Sequence, residues 1–242
     1  MRANILLARN IMNALQSLER LTLTADFRKL ALINPKESGF NLIKMLDATI
    51  TENAWSRVLA FLFDGRSEHG LGSLPLERWC HIFNCRRDVT DLIGKGSHVT
   101  PIAEVEWGTS EKRRLDILIR LSDDKGKLRG VIGIENKVRA DESEDQLGHY
   151  QRALASEFPQ IPKLLVFLTP TGRLPVTADL SEKMCPVDAV DYATLRQLFQ
   201  QLPREQSVTE DLARLLRSLS EYVCKEIIKP MEETKSITSV RF

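Results

Sequence analysis

Cysteine is scarce in this chain: four in 242 residues, at positions 80, 85, 185 and 224. Four cysteines in a chain of this length do not make a disulfide framework. Cys80, His81 and Cys85, with His69 and His98 near by in sequence, include zinc-ligand residue types, but C-H-x3-C lacks a second ligand pair. Buried small hydrophobes are the better reading of these thiols. Charge of one sign is also missing. Lys plus Arg number 34 against 33 for Asp plus Glu, a net charge of +1, which excludes a uniformly basic nucleic-acid coat but not a local basic groove. Nothing approaches the ~18 consecutive apolar residues of a membrane span. The opening MRANILLARNIMNAL is interrupted by Asn10 and Asn13 and has no small-residue cleavage site, so it reads as a helix and not a signal peptide. The expectation is a cytoplasmic protein with no membrane partner. Internal repeats and low-complexity tracts are absent too.

What is present is an ordinary globular balance, 43% apolar and 28% charged, in a chain long enough for one large domain or one domain with a helical appendage. Apolar residues at helical spacing predict helix over 1–33 and 40–46, with a break at Asn34-Pro35 and Ser38-Gly39 between them. Thr51 is positioned to cap a helix over 52–63, with Trp55 on its apolar face. DGRSEHGLGSLP, 64–75, reads as a loop that His69 and Gly70 shape, and short helices follow over 76–83, which carries Trp79, and 89–93. Both tryptophans read as core.

After residue 101 the period changes to that of strands: 102–107, 115–121 and, beyond the turn Asp123-Asp124-Lys125-Gly126, 129–136. Asp141 with Glu144 three residues on has the form of a capping box for a helix reaching about 158. KLLVFL, 163–168, reads as a buried strand, 187–190 as a last strand, 192–201 as a helix, and 210–229 as one long amphipathic helix with Leu212, Leu216, Leu219 and Val223 on its apolar face. The chain thus divides into a helical segment 1–39, an α/β core with a mixed sheet over 40–202, and a C-terminal helix and tail over 203–242.

Within this order one stretch is out of character. GVIGIENKV, 130–138, runs as a buried strand and then delivers Glu135 and Lys137. Side chains alternate along a strand, so both emerge on one face. Asp116 lies on the neighbouring strand of the hairpin, and cross-strand neighbours are roughly 5 Å apart. Two carboxylates so close repel unless protonated or joined by a cation. A hard divalent ion with oxygen ligands, Mg²⁺ or Mn²⁺, resolves the conflict. The plainer readings are a solvated Glu135–Lys137 edge pair, and an Asp116 paired with Arg113 or Arg114.

Asp116, then Glu135-Asn136-Lys137, with the hairpin between them and QLGHY after them, resembles the PD-(D/E)xK nuclease superfamily. The usual proline before the aspartate is replaced by Leu115. ENAWSRVLAFLFDGRSEHGLG, 52–72, is similar to the amino-terminal segment of a bacterial branch, and the whole resemblance covers roughly 40–170. It implies a restriction-endonuclease-like αβββαβ core with helical additions at both ends. It also implies roles. Asp116 and Glu135 would bind the metal, joined by the Asn136 backbone carbonyl and by Glu52 as a further ligand or second-site carboxylate, although Glu52 also reads as a helix-start acid facing the macrodipole. Lys137 would hold or help deprotonate the attacking water, and Gln146 would orient Lys137 or the phosphate. Tyr150, four residues on, shares the Gln146 face and is a candidate substrate contact, though both residues also read as helix surface. Arg113, Arg114 and Arg139, with Arg86-Arg87, are candidate phosphate contacts, and Glu106 on the preceding strand is an open case between site and structure. The chemistry implied is metal-assisted hydrolysis of a phosphodiester, with DNA as the leading substrate. The alternatives are a catalytically silent module binding nucleic acid or a partner protein, and a homodimer or a subunit of a bacterial defence or restriction assembly.

Overall fold

The computed structural model describes residues 52–94, 98–109, 112–181, 185–228 and 230, all within the main unit, Leu42–Phe242. The expected helices over 1–33 and 40–46, the Thr51 cap and the tail beyond 230 lie outside these residues. Three helices come first: α1 Glu52–Phe63, α2 Leu74–Ile82 and α3 Arg87–Ile93. Then follow β1 Val99–Gly108, β2 Arg114–Asp123, β3 Leu128–Asn136, α4 Gln146–Glu157, β4 Lys163–Thr169, β5 Val187–Asp191, α5 Tyr192–Gln201 and α6 Glu210–Tyr222.

The strands form one sheet in the order β1-β2-β3-β4-β5. β1, β2 and β3 pair antiparallel, while β3–β4 and β4–β5 pair parallel. This is a mixed α/β sheet flanked by helices, consistent with a restriction-endonuclease-like fold. Helices cover both faces of the central strands, which is why LDILIRL, GVIGI and KLLVFL are nearly unbroken apolar runs. Ile117, Ile119, Ile132, Ile134, Val166 and Leu168 face the larger core, formed with α1, α2, α5 and α6. Leu118, Val131, Leu165 and Phe167 face the opposite way, toward Leu147, Tyr150 and Leu154 of α4. Trp55 and Trp79 are both fully buried in the larger core. Trp55 lies edge-on to Tyr192 at 6.0 Å and stacks on Phe199 at 6.4 Å between ring centroids. Cys80 and Cys85 are buried as well, as small hydrophobes. Among the described residues no helix is long and apolar enough to cross a membrane.

Two expectations need correction. The first is the capping box: α4 starts at Gln146, and Asp145 precedes it in a left-handed conformation (φ 50°) with no side-chain cap. A distant loop satisfies the first helical amides instead. Leu147 N–H donates to Thr177 Oγ1 at 3.0 Å and Gly148 N–H to the Thr177 carbonyl at 2.9 Å. Glu142 holds that loop in place, taking Arg173 Nη1 at 2.6 Å and the Thr177 amide and hydroxyl at 3.0 and 2.8 Å. The close approach requires glycine at 148, where a Cβ would stand 2.5 Å from Asp145 Oδ1 and 2.9 Å from the Thr177 carbonyl. Gly148→Ala is therefore expected to destabilise the protein by about 1–3 kcal/mol, read as a lower midpoint in urea unfolding.

The second correction concerns the C-terminal helix. It is α-helical only to Tyr222 and continues as a π-helical stretch, Val223–Ile228. Val223 and Ile227, four residues apart on this stretch, are both buried against the core.

Candidate active site

β2 begins where β3 ends, so their polar ends lie together at one end of the sheet. Ile117 pairs with Ile134, and one step further Asp116 comes opposite Glu135. The carboxylate of Asp116 accepts the backbone N–H of Asn136 at Oδ2, 2.8 Å. Glu135 is only 1% exposed. Its Oε1 accepts from Lys137 Nζ at 2.9 Å and from Gln146 Nε2 at 2.7 Å. Its Oε2 is buried and finds no hydrogen-bond partner among the described residues.

The electrostatics follow from this crowding. Burial first, and then the charge of Asp116, push the Glu135 carboxyl up to about 8. Burial likewise raises Asp116 to about 6, against the opposing pull of the Asn136 amide and of Lys137. Burial works to lower Lys137, but the charges of Glu135, Asp116 and Glu52 outweigh it and leave the ammonium above its ordinary value. The site thus holds two acids whose charged forms lack a cation's worth of compensation.

Among the described residues no three His, Cys, Asp or Glu side chains converge as a metal cluster. A divalent ion nevertheless fits what is present. The orphaned Glu135 Oε2 is a buried acceptor in need of a positive partner, and Mg²⁺ is commonly held by only one or two carboxylates while keeping several waters.

The remaining groups occupy particular positions. Gln146 reaches Glu135 and not Lys137, and its own Oε1 accepts the Ser143 amide at 3.1 Å. Tyr150 is buried and donates its hydroxyl to the Arg114 carbonyl at 2.6 Å, which makes it a strut behind Gln146 and not an exposed phosphate contact. Glu52 directs Oε1 at the backbone amides of Val138, Arg139 and Ala140, 2.7–3.1 Å away. Arg113 donates to the Glu144 carbonyl at 2.9 Å, the exposed Arg114 pairs with Glu106 at 3.5 Å, and Arg139 is exposed. Glu106 lies across from Asp116, since Val105 pairs with Ile117 and Trp107 with Leu115. Its positive φ of 53° is a strained backbone state for a residue with a side chain. His69 shapes its loop, accepting the Leu71 amide at Nδ1, 3.0 Å.

A family model described as PD-(D/E)XK nuclease superfamily matches residues 40–223, most of the chain. The chain belongs to the PD-(D/E)XK nuclease superfamily. No curated protein and no solved structure matches it. Superfamily membership supports a nuclease-type function and so an interaction with nucleic acid, and superfamily members generally use divalent metals.

One residue that the sequence did not single out for its side chain is Asn136. Its side chain is wholly buried, donating from Nδ2 to the Glu52 carbonyl and Ser56 Oγ, both at 3.2 Å, and accepting at Oδ1 from Tyr192 at 2.5 Å. Asn136 thereby ties the end of β3 to α1 and α5. Tyr192→Phe strands that buried acceptor and is expected to cost about 1–3 kcal/mol, measured as a lower unfolding free energy. The amide placed between two charges at the end of an apolar run was the only sequence signal for it.

Proposed function

We propose that this protein is a divalent-metal-dependent nuclease that hydrolyses phosphodiester bonds, with DNA as substrate and Mg²⁺ or Mn²⁺ as the metal. The observation that carries the reading is the orphaned Glu135 Oε2 beside Asp116, with the Lys137 ammonium 2.9 Å from the other oxygen of the same carboxylate. Asp116 and Glu135 would hold the ion, with the Asn136 backbone carbonyl as a further oxygen ligand. When bound, such an ion polarises the phosphate and lowers the pKa of coordinated water. Lys137 is placed to hold the attacking water and to steady charge growing on the phosphate. Gln146 fixes Glu135 through Oε1, leaving Oε2 for the ion. Arg113, Arg114 and Arg139 are the phosphate contacts we assign, at exposed or half-exposed positions near the site. A cytoplasmic role in a bacterial defence or restriction system is the setting we favour.

The test is cleavage of single- and double-stranded DNA and RNA by purified protein with Mg²⁺, Mn²⁺ or EDTA. Metal-dependent cleavage that EDTA stops is the expected result. Wild type and Lys137→Ala cleaving alike would overturn the role given to Lys137, and no cleavage of any substrate would leave the alternative, a silent nuclease fold that only binds.

A further inference from the structure

Glu52 brackets Lys137 on both sides. Just before Lys137, the Asn136 side chain donates to the Glu52 backbone carbonyl at 3.2 Å. Just after it, the amides of Val138, Arg139 and Ala140 donate to Glu52 Oε1 at 2.7, 2.8 and 3.1 Å. The Lys137 amide itself is fixed on the Leu168 carbonyl at 2.9 Å. Three consecutive amides aimed at Oε1 form a backbone anion nest, and with about two lone-pair sites that oxygen has none left over for a cation, so only Oε2 could still reach one. Burial raises the Glu52 carboxyl, but the Arg139, Ala140 and Val138 amides and the Lys137 charge outweigh it, and its pKa lies below the ordinary value. The helix that carries Glu52 is anchored through Trp55, Leu59 and Phe63, all fully buried. The nest is therefore referenced to the rigid core.

We propose that Glu52 is a positioning residue: it fixes Lys137, and with it the exposed Arg139, by gripping the 138–140 backbone, and is not a ligand of the metal. For its effect on turnover this deepens the nuclease reading and rests on it. For its effect on backbone and metal affinity it does not.

The experiment compares wild type, Glu52→Gln, Glu52→Ala, Lys137→Ala and the Glu52→Ala/Lys137→Ala double variant. Gln keeps an acceptor oxygen for the nest without the charge, whereas Ala removes it. Expected for Glu52→Ala is a fall in kcat of about 10²-fold, the scale of a misplaced reacting group, with at least about tenfold of that recovered in Glu52→Gln. Mn²⁺ affinity by calorimetry stays within about threefold in both variants, where loss of a supporting metal interaction costs about 10–100-fold. In the Lys137→Ala background, Glu52→Ala adds less than about threefold, because a residue acting through another shows no independent loss. Hydrogen exchange at the Val138, Arg139 and Ala140 amides speeds up about 10²-fold in Glu52→Ala as the nest opens. A drop in Mn²⁺ affinity of about tenfold or more in Glu52→Gln, or rate losses that multiply in the double variant, would overturn the proposal. If the wild type cleaves nothing, the nuclease reading fails by itself, and exchange plus Mn²⁺ affinity still decide the role of Glu52. Should Glu52→Ala not fold, the Glu52→Gln titration decides it.

Discussion

Lys137→Ala is expected to lower the cleavage rate by about 10²–10⁴-fold, the usual contribution of a positioned proton-transfer group. The ammonium sits 2.9 Å from Glu135 with its side chain largely shielded from water, so the group lost is held in place and not a mobile surface charge. A second effect follows from the same contact. Lys137 is one of the influences holding the Glu135 carboxyl down, so its removal raises that carboxyl further. Metal binding at neutral pH should weaken in consequence and recover in more alkaline buffer. Single-turnover cleavage measured from pH 6 to 9, alongside a Mn²⁺ titration, separates the two effects. A rate within about twofold of wild type across that range is incompatible with a reacting-group role.

Glu135→Gln is expected to cost about 10³-fold or more in activity, because several kcal/mol of metal-derived stabilisation goes with the carboxylate. It should also change how stability depends on pH. In the metal-free folded protein Glu135 titrates at about 8 and Asp116 at about 6, against ordinary values of 4.5 and 3.8. Between those limits the folded state binds more protons than the unfolded chain, so stability falls as pH rises. Below the ordinary values both states are protonated and the penalty disappears. A divalent ion binds the deprotonated acids, so the stabilisation it brings grows with pH over the same window. The melting temperature of the metal-free protein should thus decline from pH 5 to 8, the Mn²⁺-induced rise should increase, and Glu135→Gln should flatten both trends. A Mn²⁺ shift independent of pH in the wild type would count against ion binding at these acids.

Most of the architecture is legible in the chain alone, because each strand carries its own signal. The apolar runs at 115–121, 130–134 and 163–168 are too hydrophobic for a surface, and the helix–strand order leaves few ways to bury them. Asp116, Glu135 and Lys137 were legible for the related reason that strand alternation and hairpin pairing are local rules, and charge at the end of a buried run demands an explanation. The features that became visible only in the folded molecule involve partners far apart in the chain. The start of α4 is set by Thr177 and Glu142, contacts with no local signature, so a plausible capping box at Asp141 and Glu144 was outcompeted. Tyr150 reads as a helix-face residue but is buried behind Gln146, since helical spacing says which residues share a face and not what covers it. Glu52 and Asn136 meet across 84 positions of sequence. Hydrogen bonds of that kind satisfy backbone and side-chain groups that folding has already brought together, and the chain records them only as an acid at a helix start and an amide at a strand end.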